Sequence, residues 1–303
     1  MLHLLNGDAT AAVFPAVLAG ERAVWRDILM EGPAGADIAT RAAWLAPRLG
    51  VTAAAYAERW REGQATLARA KEHDEVVLWF EQDLFCATNL WFVLDHLDAA
   101  RVSLVFPAIA DGGGLGSLPP TAFGPLFERR RRLTAADLAE ARALWRTYAA
   151  RDPMPLARLQ PALPFARAAI RLHCGRFPSV ARGLDEVEHA TLAVLDRPLE
   201  FGALFRQVTA SAGLRELGMG DVQLAAILSD LVSGATPLIA IDQDAQPFSG
   251  WRVSRTRAGA DVLAGRGDRL VMAPLERWLG GVHLAPGAPL WRWDGERLTL
   301  VAA

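Results

Sequence analysis

The 303-residue sequence predicts an α/β protein whose first part is a doubly wound, mainly parallel sheet. Three observations predict it. Leu2-His3-Leu4-Leu5, Val76-Val77-Leu78-Trp79-Phe80 and Val102-Ser103-Leu104-Val105-Phe106 are near-continuous apolar runs of strand length, as expected of strands covered on both faces. Stretches of helical periodicity separate them, the alternation that generates a parallel sheet. Each run also ends in polar or turn-forming residues: Asn6-Gly7-Asp8, Glu81-Gln82-Asp83, and Pro107 leading to Asp111-Gly112-Gly113-Gly114.

The first strand, His3 to Asn6, turns through Gly7 into a helix that Asp8 begins and that runs toward Gly20. Extended chain follows over Arg22 to Leu29, then the turn Glu31-Gly32-Pro33. Helices are expected at about Asp37 to Leu49 and Ala53 to Glu72, the second with Tyr56, Trp60 and Leu67 at helical spacing. Val76 to Phe80 forms the third strand, and a helix from about Leu84 to Leu97 follows it. Val102 to Phe106 forms the fourth.

Beyond the glycine loop the pattern becomes helical from Pro119 to about Phe177. Thr134 is the expected N-cap of one of these helices. The run Arg129-Arg130-Arg131-Arg132 is read as a helix end, where arginine meets the negative pole of the dipole. From about Gly183 come three helices (Asp185 to Leu195, Phe201 to Ala212, Asp221 to Val232) and two strands (Pro237 to Ile241, Trp251 to Ser254), the order of a winged helix. A short helix, Ala258 to Ala264, and an extended pair, Gly281 to Leu284 with Leu290 to Asp294, close the chain. The expected division is an α/β Rossmann-like or flavodoxin-like domain over 1–118, a helical connector over 119–180, and a winged-helix-like α+β domain with a C-terminal hairpin over 181–303.

Composition narrows the function. The formal net charge is −2, which gives no global attraction to nucleic acid or to an acidic membrane surface. Lys71 is the only lysine, so mechanisms that need a Walker-loop or Schiff-base lysine elsewhere are excluded. No Gly-x-Ser-x-Gly elbow occurs, and no histidine pair has helical metal-ligand spacing. Two cysteines far apart, Cys86 and Cys174, build no disulfide framework. The apolar N-terminal run lacks a basic start and is soon interrupted by Asp8, so no signal peptide is expected. Apolar stretches fall short of the ~18 residues of a membrane span. A cytoplasmic, soluble protein is expected.

In an open parallel sheet, ligands bind beyond the carboxyl ends of the strands. Glu81, Asp83 and Asp8 stand there as candidate catalytic or metal-binding carboxylates, with Asn6, Gly7, Asn89, Asp111, Gly112 and Gly113 as candidate ligand contacts. Asp8 and Asp83 also suit helix N-caps, the commonest use of aspartate at such positions. Clustered carboxylates would raise one another's pKa unless they share protons or hold a divalent cation such as Mg²⁺. The alternative use is hydrogen bonding to sugar hydroxyls. A small-molecule ligand, nucleotide-like or phosphorylated, is the expected partner, with hydrolysis or group transfer open. The alternative is a non-enzymatic adaptor that meets a partner protein through the winged helix. DNA is disfavoured, because Gly220 to Asp230, the helix that would enter the groove, has two acids and no arginine or lysine.

Leu5-Asn6-Gly7-Asp8, Trp25-Arg26-Asp27 with Glu31-Gly32-Pro33, and Leu78 to Phe85 carry a resemblance that continues in Arg277-Trp278-Leu279-Gly280-Gly281 and Trp291-Arg292-Trp293-Asp294. The chain resembles, nearly end to end, a bacterial family of uncharacterised proteins defined by an N-terminal domain of unknown function, number 1835 in that series. The resemblance implies no activity and no catalytic assignment.

Overall fold

The structure is a computed structural model that describes residues 1–108, 114–242, 247–273, 275–297 and 299–302. Asp111, Gly112 and Gly113 lie outside the described residues. The chain divides into two compact units, residues 1–150 with 159–169, and residues 151–158 with 170–303. Of the expected connector over 119–180, residues 119–150 and 159–169 therefore belong with the sheet, and 151–158 and 170–180 belong to the second unit.

The first unit is mixed α/β around a five-stranded, mostly parallel sheet. Its elements are β1 (Leu2–Asn6), α1 (Asp8–Val13), β2 (Glu21–Trp25), α2 (Ile38–Arg48), α3 (Ala53–Arg69), β3 (Val76–Trp79), α4 (Leu84–His96), β4 (Val102–Val105), α5 (Phe123–Glu128), β5 (Arg131–Arg132) and α6 (Ala135–Tyr148). The strand order is β2-β1-β3-β4-β5. β1 pairs in parallel with β2 and β3, and β3 with β4, so these four strands end on the same edge. Every residue of β1, β3 and β4 is buried, which is why these strands read as unbroken apolar runs.

One face of the sheet packs Leu5, Val77, Trp79 and Val105 against Phe14 and Phe123. Buried His3 belongs to this layer, its Nδ1 accepting from Trp79 Nε1 at 3.1 Å. α4 is buried nearly all round, as a central helix must be. Its Phe92 and Trp91 meet Trp145 and Tyr148 of α6 edge to face. Thr134 caps α6 in a capping box with Asp137.

Two expectations are corrected here. The first helix ends at Val13 instead of running toward Gly20, because Phe14 takes the extended conformation imposed by Pro15. The arginine run stands at a helix end, as expected, but continues as a strand: α5 stops at Glu128 with Arg129 as its C-cap, and Arg131–Arg132 pair antiparallel with β4, Ser103 opposite Arg132. Arg130 secures the turn through the Glu75 carboxylate at 3.0 Å and the Phe127 ring at 4.0 Å.

The elements beyond Ala150 are α7 (Met154–Ala157), α8 (Ala166–Cys174, in which the division falls), α9 (Glu186–Val194), β6 (Leu199–Glu200), α10 (Phe201–Ala210), α11 (Asp221–Val232), β7 (Ile239–Asp242), β8 (Arg252–Arg255), α12 (Arg257–Leu263), α13 (Arg269–Met272), β9 (Arg277–Leu279), β10 (Val282–Leu284), β11 (Trp291–Asp294) and β12 (Thr299–Ala302). The antiparallel sheet order is β6-β8-β7. Leu224, Leu228 and Leu231 form the buried face of α11. The closing strands do not pair with each other as expected. β10 pairs with β9 and β11 with β12, giving two hairpins. Among the described residues no helix is long and apolar enough to cross a membrane.

Candidate functional site

The carboxyl edge of the parallel sheet places the predicted residues in three different situations. Asn6 ends β1, and Gly7 follows at φ 90°, a backbone conformation that favours glycine. Its N–H donates to Trp25 O at 2.9 Å, holding the β1 and β2 tips together. Gly7, not Asp8, is the N-cap of α1. Asp8 points into solvent and pairs with Arg26 Nε at 2.8 Å. Such an exposed pair contributes little to stability.

Asn6 and Asn89 are brought together inside the protein. Asn89 Nδ2 donates to Asn6 Oδ1 at 2.9 Å and to Asp27 O at 2.8 Å, and its Oδ1 accepts from Leu29 N at 3.1 Å. Asn6 Nδ2 donates to Cys86 Sγ at 3.0 Å. Both amides are buried and spent on the protein itself. They tie the turn after β2 to the β1 tip and α4, where the sequence analysis expected ligand contacts. Burial pushes the Cys86 thiol far above its ordinary range, so this sulfur is no thiolate nucleophile.

Beyond Asp27 lies a cluster the sequence reading did not assemble. Asp27 accepts from Tyr56 OH at 2.6 Å, from Arg41 Nε at 3.2 Å and from its own neighbour Ile28 N at 2.8 Å. Arg41, 1% exposed, also donates to Glu31 O and Ile28 O, both at 2.9 Å. The helical spacing of α2 and α3 was readable, but not that Arg41 and Tyr56 aim at one carboxylate.

Glu81 and Asp83 follow β3. Phe80 N and Gln82 N still donate to Val105 O and Pro107 O, both at 3.1 Å, so the ladder continues past the strand on either side of Glu81. The Glu81 carboxylate accepts from Leu115 N at 2.7 Å. A Cβ at position 114 would lie 1.6 Å from Glu81 Oε2, so glycine there is what lets the carboxylate approach this backbone. Burial raises the Glu81 pKa, partly offset by the Leu115 N–H. Asp83 is 4% exposed and caps α4, accepting from Cys86 N at 2.5 Å. Burial, helped by the Glu81 charge, pushes its pKa up to about 7 despite that hydrogen bond. Asp83 thus serves as an N-cap and as the charge-coupled neighbour of Glu81.

Glu81 lines a cavity of about 420 Å³ together with Pro107, Leu115, Leu118, Leu126 and Arg129. Among the described residues Asp8 and Asp83 do not line it. In the sequence Arg129 stands out only as part of a basic run. Its Nε donates to Pro125 O at 3.2 Å, and among the described residues its guanidinium meets no carboxylate. Among the described residues the cavity combines one partly buried carboxylate, one arginine without a carboxylate partner and apolar walls. Among the described residues no group of three histidine, cysteine, aspartate or glutamate side chains could hold a metal ion.

Compared with known proteins, the chain matches no family model, no curated relative and no solved structure.

Proposed function

We propose that this chain binds a small polar ligand, nucleotide-like or phosphorylated, at the carboxyl edge of its parallel sheet. One observation carries the proposal: a cavity of about 420 Å³ has the Glu81 carboxylate and the Arg129 guanidinium in its lining. The volume suits a small molecule, and a few polar groups on apolar walls are how such sites fix orientation. Arg129 supplies the planar, permanently charged donor that phosphate oxygens prefer. Glu81 supplies an acceptor for ligand hydroxyls. Its raised pKa also suits proton transfer, should a bound ester be hydrolysed or a group transferred. No step is assigned to a divalent cation.

For the second unit we infer a winged-helix-like scaffold that contacts a protein partner. The order α9-β6-α10-α11-β7-β8 and the sheet order β6-β8-β7 support it. The acidic α11 favours protein over DNA. The sequence motifs at the β1 and β3 tips and in the two closing hairpins support placing the chain with the domain-of-unknown-function family named above. A cytoplasmic location accords with its two free, buried cysteines.

The test is thermal stabilisation by a panel of nucleotides and sugar phosphates, since a ligand that binds only the folded state raises stability by mass action. Stabilisation should be lost in Glu81→Gln and in Arg129→Gln while both variants stay folded. A panel without effect on the wild type, or an effect that survives both substitutions, overturns the assignment.

A further inference from the structure

The second unit has a cavity of its own, about 720 Å³, remote in sequence from the sheet edge. One wall is a face of α9, where Glu186, His189, Ala190 and Ala193 recur at helical spacing. The two alanines leave the room. Leu184, Leu214 and Trp293 add apolar surface.

The turn before α9 also lines the cavity, and it is built tightly. Gly183 N donates to Ser179 O and Ser179 N to Leu184 O, both at 2.9 Å, with Gly183 at φ 67°. Arg182 sits in this turn. Its backbone N–H donates to Ser179 Oγ at 3.3 Å, and its carbonyl accepts from Arg269 N at 2.8 Å. The backbone is pinned on both sides of a side chain that lines the cavity.

The charges around the cavity are unevenly satisfied. Arg171 is held by both oxygens of Glu186, at 3.1 and 3.2 Å. Arg297 lies 3.6 Å from Asp294, and Asp185 is paired with Arg277. Glu296 is an exposed residue on the turn after β11. Arg182 differs from the other two arginines of the wall. Among the described residues it has no carboxylate partner, and its Nε is buried with no hydrogen-bond partner. A buried donor left unmade is costly, and native structures keep few of them. His189 also lines the cavity, and its pKa is lowered, by burial first and by the Arg182 charge second.

We propose that this cavity binds a small organic anion, a carboxylate or phosphate carried on an apolar body, with the oxyanion held by Arg182. The guanidinium fork matches either oxyanion in a planar, two-point manner. His189, in the same lining, offers a further ring nitrogen. The alanine face of α9, with Leu184 and Leu214, covers the apolar body. No residue of the sheet-edge site takes part.

The full chain is titrated calorimetrically with phenyl phosphate, benzoate, inorganic phosphate and uncharged benzamide. Phenyl phosphate or benzoate should bind, the preferred one identifying the oxyanion, and benzamide should bind at least about tenfold more weakly. Arg182→Gln should weaken the preferred anion about tenfold or more, the loss expected for a charge-assisted hydrogen bond. Ala193→Trp, at an exposed helix position that tolerates bulk, should block the apolar part and weaken binding while the chain remains folded. Glu81→Gln and Arg129→Gln should leave the titration unchanged, which separates this site from the sheet-edge one. No binding of either aromatic anion at millimolar concentration overturns the proposal. So does binding that Arg182→Gln and Ala193→Trp both leave intact, or inorganic phosphate binding as tightly as phenyl phosphate.

Discussion

The carboxylate of Glu81, at the tip of β3, accepts a hydrogen bond from the backbone N–H of Leu115 at 2.7 Å, across 34 residues of sequence. This bond fastens the chain that follows β4 against the tip of β3, and it depends on residue 114 having no side chain. Gly114→Ala should therefore push Glu81 aside and break the bond. The glutamate end can swing away, so the cost is that of the bond, about 1 kcal/mol in denaturant unfolding. In a Glu81→Ala background the same substitution should cost much less. Equal costs in the two backgrounds would show that Gly114 serves something other than Glu81.

Only half of that relationship is legible in the sequence. β1, β3 and β4 were legible because burial on both faces leaves an apolar run, and Glu81 was legible as a carboxylate at a strand tip. Its partner was not, because Leu115 N is a backbone group at the start of a short 3₁₀ turn and carries no residue signature. Asn6 and Asn89 were each noticed as polar residues near a tip. That they satisfy one another, 83 residues apart, follows from the register of β1 against α4, which pattern alone does not give. β5 escaped because two arginines look like a helix end. What makes them a strand is pairing to β4, with the adjoining turn held by Arg130 on a glutamate 55 residues away. β12, a short apolar tail at Thr299–Ala302, had too few residues to show a period.

Asp83 should make stability fall as pH rises. Its folded pKa is about 7, against an ordinary 3.8, because the ionised form is buried. Between those values the folded protein holds a proton that the unfolded chain has released, so its contribution is fully present below about pH 4 and lost as pH rises through 7. Asp83→Asn keeps a side-chain oxygen for Cys86 N and is as good a cap. Urea midpoints measured across this range should show the variant gaining on the wild type toward pH 8. A constant difference would mean that Asp83 ionises freely in the folded state. The buried histidines His3 and His173 shift in the opposite sense, so the wild-type-minus-variant difference is the informative quantity.

Asp27 anchors the turn after β2. Removing its carboxylate with Asp27→Ala strands the Arg41 guanidinium, buried beside it at 3.2 Å. Breaking a buried pair on one side costs about 3–5 kcal/mol. Tyr56→Phe removes a single 2.6 Å hydrogen bond and should cost only about 1–2 kcal/mol. Chemical denaturation of the two variants should reproduce that ranking. Near-equal losses would indicate that Arg41 finds its compensation in the Glu31 and Ile28 carbonyls.

The second unit should ignore DNA at physiological salt. Duplex affinity grows with the number of phosphates neutralised, and each one adds close to one unit to the slope of log K against log salt. α11 offers none. It carries Asp221 and Asp230, Asp230 is 3.2 Å from Arg277, and Gln223, its one base-reading side chain, accepts from Gly220 N at 2.7 Å. The arginines near β8 are partly engaged as well. Arg252 lies 3.8 Å from Glu200, and Arg255 donates to Leu192 O at 2.8 Å, which leaves Arg257 at the start of α12. Fluorescence anisotropy with a random duplex should show no binding at physiological salt, and at low salt only weak binding with a slope of about one to three. Nanomolar affinity with a steep slope would reverse the assignment. Arg252→Ala, Arg255→Ala and Arg257→Ala would then show whether the β7–β8 hairpin, and not α11, carries the contact.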